Sequence, residues 1–290
     1  MVESNKEDQI FELKDGRKLG YAEYGDLNGK PIFHFHGHPG SRLEGRLFGE
    51  KPKKHGVHAI TVDRPGIGLS DFKPNRKLLD WPDDIIELAD HLGLNKFAVQ
   101  GISGGGPYAA SCAFKIPERL TCCGIIAGLG PINWSKKGMM LSNRITVFVS
   151  RRLPFLVKTI VKAEKKAFED QKSLEELANN LPEPDKILFQ DPQIVKIMIE
   201  DSKEAFRNGL DGAVLEEKIF ARLWGFDLKD IPSNLQVYIW HGEMDVFVPP
   251  SMGRKLSELI PNCKGYFLPN EGYLSVGFNH LDEILETLAS

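Results

Sequence analysis

At 290 residues the chain can bury a sizeable core, and its length suits one large domain or a domain carrying an insertion. With 41% apolar and 27% charged residues and a formal charge of −3, it has the composition of a soluble globular protein and lacks the basic surface a nucleic-acid partner would require. The start "MVESNKEDQI" is polar, and no run approaches the roughly 18 apolar residues of a membrane span, so a cytoplasmic protein without a membrane span is expected.

In chain order, "FELKDGRKLGYAEYG" (11–25) predicts two strands joined at Asp15-Gly16, a strong hairpin signal. A short apolar strand (31–36) follows, broken by the Gly/Pro loop of "HFHGHPGS", and then a helical segment and the apolar strand "VHAITVD" (57–63). The stretch 77–94 carries apolar residues at helical spacing, from Leu78 and Leu79 to Leu92, and Gly93 closes it. Next come a strand at 96–102, a helix in "GGGPYAASCAFKI" and a strand at 120–130. Apolar strands alternating with amphipathic helices predict a parallel sheet covered on both faces. The alternation stops after Gly130; 132–230 gives helical signals alone, and strand–helix alternation resumes from 235 to a last helix at 281–289. The expected organisation is therefore an α/β domain in two parts, 1–131 and 231–290, interrupted by a helical insertion at 132–230.

The four cysteines, Cys112, Cys122, Cys123 and Cys263, have neither Cys-x-x-Cys spacing nor the spacing of a zinc site, and are expected to be free thiols. His36 and His38 have no third ligand at plausible spacing, so no metal is expected there. Neither a P-loop nor a dinucleotide fingerprint is present, since "GDLNGKP" ends in Pro and the glycines do not make G-x-G-x-x-G. The basic, amphipathic "RRLPFLVKTIVKAEKKAF" (151–168) is read as an insertion helix whose apolar side faces the substrate rather than a lipid surface.

Chemistry concentrates in "GISGG" (101–105), a Gly-x-Ser-x-Gly pattern between a strand and a helix. In that context Ser103 occupies a strained turn and the helix N-terminus favours developing negative charge. The loop after "HFHG" can offer the N–H of His38, and the turn that of Gly104, to an oxyanion. "HGEMDVFVP" (241–249) puts Asp245 in a loop after the penultimate strand, where a carboxylate can orient an imidazole; the alternative is that it caps the helix starting near Pro250.

In this order the pieces "FHGHPGS", "DRPGIGLSD", "GISGGGPYA" and "HGEMDVFVP" resemble the α/β-hydrolase family over about 15–130 and 232–290. The resemblance implies an α/β-hydrolase fold, a helical cap, no cofactor, and a small-molecule ester, thioester or lactone as substrate. It also implies the order nucleophile, acid, histidine. The last of these should fall in "EGYLSVGFNH", where the family pattern has Gly-His and this chain reads Gly272-Tyr273. A phenol with a pKa near 10 is only about 0.1% ionised at pH 7, whereas imidazole titrates near 6.5, so Tyr273 cannot relay the serine proton at a comparable rate. His280 lies two turns away, and His34, His55, His58, His91 and His241 are poorly placed to replace the base. Three readings stay open: a serine hydrolase impaired, by nature or design, at one position; a fold-sharing receptor or carrier that binds without turnover; and an enzyme in which Tyr273 itself works.

Overall fold

The computed structural model describes residues 6–290. Eight strands form one sheet: β1 (Lys6–Glu12), β2 (Lys18–Gly25), β3 (Lys30–Phe35), β4 (Val57–Val62), β5 (Phe97–Ile102), β6 (Leu120–Ile126), β7 (Gln236–Gly242) and β8 (Cys263–Leu268). Their spatial order is β1-β2-β4-β3-β5-β6-β7-β8, with the β1–β2 and β2–β4 pairs antiparallel and the rest parallel. The α/β prediction holds, and the hairpin turns at Asp15-Gly16, although its first strand starts at Lys6 rather than Phe11.

Parallel strands need cover on both faces, and the sequence supplies it. β4, "VHAITV", is buried at every position. One face packs α2 (Trp81–His91), α3 (Gly106–Lys115) and α10 (Pro250–Leu259) around Phe33, Phe35, Val99 and Ile239. The other face carries α1 (Lys51–Lys54), α11 (Ser275–Asn279) and α12 (Leu281–Leu288), with Ile284, Leu285 and Leu288 against Ala98, Ile126 and Trp240. Each fully buried aliphatic or aromatic side chain of this kind contributes about 1.5–3 kcal/mol by leaving water. All four cysteines are free thiols, and Cys112, Cys122 and Cys123 are buried among these apolar residues.

Between β6 and β7 run six helices: α4 (Leu141–Arg152), α5 (Val157–Ala167), α6 (Gln171–Ala178), α7 (Glu183–Leu188), α8 (Pro192–Ala205) and α9 (Asp211–Phe220). They lie over the edge where the parallel strands end. Phe35 pairs with Gly101, Ile102 with Ile126, Ile126 with Trp240, and Gly242 with Leu268. The loops after β3, β5, β7 and β8 therefore emerge side by side, as ligand-bearing loops do in open parallel sheets.

Candidate active site

Ser103 leaves the centre of the sheet at the end of β5, with φ of 54°, a left-handed conformation costly for a residue with a side chain. The flanking glycines make the turn possible. A Cβ at Gly101 would overlap the Gly105 carbonyl, and one at Gly105 would overlap the Phe35 carbonyl. The turn continues directly into α3, so the Gly104 N–H lies in a first turn whose amides have no intrahelical partner. His38 sits against it: a Cβ built on Gly104 would come 3.1 Å from that of His38. The loop holding His38 is braced by Glu44, which accepts from the Gly37 N–H at 2.9 Å and lies 2.7 Å from His34 Nε2.

Asp245 is buried in the loop after β7. Its Oδ1 accepts from the Phe247 and Val248 N–H groups, both at 2.8 Å, and not from the amides of α10, so the helix-cap alternative does not describe it. Oδ2 has no hydrogen-bond partner. His241 Nε2 lies 3.2 Å from that oxygen, but its bond is to the Val248 carbonyl at 2.8 Å. Burial raises the Asp245 pKa, against the lowering effect of His241 and the two amides.

Tyr273 closes the arrangement. Its ring stacks at a tilt on Phe247, with centroids 4.8 Å apart, it lines the same cavity as Ser103, and its hydroxyl feels both Ser103 and the Asp245 charge. Burial pushes the phenol above its ordinary value, with the Ser103 contact opposing and the Asp245 charge reinforcing the shift. Phenolate is thus even scarcer here than in water. Ser103, Asp245, Tyr273, His38 and Gly104 are brought to one place. Four other histidines are not: His280 faces Glu271 and Glu283 at 3.3 and 3.4 Å, His55 pairs with Asp282, His58 with Glu23, and His91 stacks on Phe11.

Sequence reasoning missed the acids that the insertion sends into this site. Asp185 of α7, fully buried, accepts from the backbone N–H groups of Tyr273, Leu274 and Ser275 at 2.9, 3.0 and 2.9 Å, and so holds the loop that presents residue 273. Glu216 of α9 is buried between Arg64, Arg76 and His38, whose Nδ1 is 3.0 Å away. The guanidinium charges and the His38 bond keep Glu216 well below the usual carboxylate range although burial alone would raise it. Burial alone would likewise depress His38, but Glu164, Glu216 and Glu217 outweigh it and push the imidazole up to about 10. Nothing near these acids in the sequence signals their partners, which lie as far as 178 residues away.

A cavity of about 200 Å³ opens beside Ser103, His38 and Tyr273, lined mainly by apolar groups such as Leu129, Met139, Phe220 and Trp224. A second, of about 130 Å³, shares Tyr273 and His38 with the first and lies against Ile102, Leu188 and Phe278. The segment 151–168 departs from expectation. Val157 and Val161 of α5 turn into a cluster with Ile67, Ala205 and Phe206, away from the cavity, and Glu164 and Phe168 reach the cavity instead.

The model of the alpha/beta hydrolase fold matches residues 30–278, and the chain belongs to that family. Across 266 residues it is 26% identical to the dihydrolipoyllysine-residue acetyltransferase component of the acetoin cleaving system of Pseudomonas putida, covering 89% of this chain and 62% of that protein. The chain therefore spans less than two thirds of that relative's length. Among solved structures it superposes on an alpha/beta hydrolase fold protein from Nakamurella multipartita at a TM-score of 0.69 and 22% identity, covering 97% and 99% of the two chains. A thermophilic esterase from Thermogutta terrifontis follows at 0.65 and 19%, with 98% and 96% covered.

Proposed function

We propose that the chain is built as a serine hydrolase that transfers an acyl group from a small, largely apolar ester, thioester or lactone to water. Ser103 is the nucleophile and the His38 and Gly104 N–H groups bind the oxyanion. Asp245 is the acid, residue 273 is the seat of the base, and the helices between β6 and β7 act as a cap. The observation that carries this reading is the buried, unpartnered Oδ2 of Asp245, whose charge acts on Tyr273 beside Ser103. Leaving a buried carboxylate oxygen unsatisfied costs about 1–3 kcal/mol or more. An imidazole at 273 would satisfy it through one ring nitrogen and face Ser103 with the other. With tyrosine there, binding is retained and turnover is largely lost; losing such a base costs about a millionfold in rate, or roughly 8 kcal/mol.

The test is hydrolysis of a short-chain p-nitrophenyl ester panel by this chain and by Tyr273→His, with Ser103→Ala as blank. Tyr273→His is expected to gain several orders of magnitude while the unaltered chain stays near the blank. Activity of the unaltered chain that Tyr273→His abolishes would make the tyrosine the catalyst. Both proteins at the blank, with a ligand raising the unfolding temperature, would favour the receptor or carrier.

A further inference from the structure

The cavity contains a cluster that serine chemistry does not use. His38 Nε2 from the loop after β3, Glu164 Oε2 from α5 and Glu217 Oε1 from α9 all lie within 4.8 Å of one another. Nε2 is 3.5 Å from the Glu217 oxygen and 3.7 Å from the Glu164 oxygen. The His38 side chain is only 7% exposed, yet neither its Nε2 nor Glu164 Oε2 has a hydrogen-bond partner. Charge-assisted hydrogen bonds would draw such groups to about 2.7–2.9 Å. Here the His38 ring nitrogen faces two carboxylate oxygens and bonds to neither.

The two separations at His38 favour a metal ion as the occupant. A tetrahedral ion with bonds of about 2.1–2.2 Å holds its ligands about 3.4–3.6 Å apart, close to the two measured edges. An ammonium group or a water, held at about 2.8 Å, would spread its partners to about 4.6 Å. The supporting bonds also fit. Glu216 Oε2 lies 3.0 Å from His38 Nδ1, so a proton held there leaves the Nε2 lone pair facing the cluster, as in carboxylate–histidine–metal arrangements. Ser150 donates to Glu217 Oε2 at 3.0 Å, leaving Oε1 for the ion. One imidazole and two carboxylates suit a zinc-class ion better than calcium or magnesium, which take more oxygens or keep several waters.

We propose that His38, Glu164 and Glu217 form a three-ligand site for a zinc-class divalent ion, joining the insertion to the sheet and leaving its fourth position open to the Ser103 cavity. A water in the open position would have its pKa lowered toward about 7. The site does not depend on Ser103 being a nucleophile.

The test is metal binding by the full chain after chelator treatment and dialysis, with Zn²⁺ and Co²⁺ as probes. One ion per chain is expected, with the strong visible absorption of four-coordinate Co²⁺ and a raised unfolding temperature in Zn²⁺. Glu164→Gln and Glu217→Gln should each weaken binding by more than tenfold and Ser150→Ala by about tenfold, while Ser103→Ala binds as before. Glu164 is partly exposed and Gln is isosteric, so its circular dichroism should match the parent and separate lost binding from lost folding. Absence of a stoichiometric ion, binding indifferent to Glu164→Gln and Glu217→Gln, or stabilisation by an alkylammonium ion in place of Zn²⁺ would each overturn the assignment.

Discussion

The sheet and the helices inserted between β6 and β7 meet across the same cavity, but they bring opposite materials to it. The sheet side is held by apolar burial, with Phe33, Val99 and Ile239 wholly enclosed, and it presents cations and N–H donors at its edge. The insertion answers with acids: Asp185 to the amides of 273–275, Asp201 to Ser41, Glu204 to Arg42, and Glu216 to Arg64 and Arg76. Asp185, Asp201 and Glu216 are buried as deeply as core residues. Hydrophobic area thus builds the platform, while paired charge sets where the insertion rests on it. The difference teaches that a buried carboxylate can act as a docking peg when fixed donors face it, at both oxygens in Asp185 and Glu216.

The largest effect should come from breaking the peg at the centre. Glu216→Gln leaves Arg64, Arg76 and His38 facing a neutral group, and is expected to lower stability by about 3–5 kcal/mol in urea unfolding. Phe33→Ala on the sheet side creates a cavity in the packed core and should cost a similar 3–5 kcal/mol. A loss under 1 kcal/mol for Glu216→Gln alongside a full loss for Phe33→Ala would end the equivalence. Asp185→Asn is smaller, at about 1–3 kcal/mol, because the amide oxygen still accepts from part of the 273–275 backbone. Made together with Tyr273→His, it should also lower kcat by loosening the base.

The smallest effect is on pH dependence. Burial raises the Tyr273 pKa above its ordinary value near 10, so its neutral form is the one the fold favours, and stability from this group falls as pH climbs past about 10. The ester rate of the unaltered chain should therefore stay level between pH 7 and 10 after subtraction of the blank. Tyr273→His should instead rise with pH through the imidazole range near 6.5 and then level off.

Much of the platform was legible in the sequence because strands and their turns depend on neighbours close in the chain. The all-buried β4 reads as an apolar run, and the elbow reads from glycines within two residues of Ser103. The docking acids were not legible. Glu164, Asp185 and Glu217 sit on helices rich in surface charge, and only the folded chain tells them from their solvated neighbours. The orientation of α5 was misread for the same reason: the cavity receives its glutamate, while its valines are enclosed elsewhere. His38 seemed to lack further ligands because the candidates are contributed from α5 and α9, far along the chain.

Tyr273 borders both cavities, the one of about 200 Å³ and the one of about 130 Å³, and with His38, Pro39, Phe168, Met198 and Leu274 belongs to the partition that the two rooms share. An imidazole is shorter than a phenol, so placing one at 273 would shift that partition as well as supply a base. Tyr273→His is therefore expected to lengthen the guest that the paired rooms take. The residue that sets the rate would then also set the length of molecule admitted, and a ladder of acyl chains would read both properties from the same substitution.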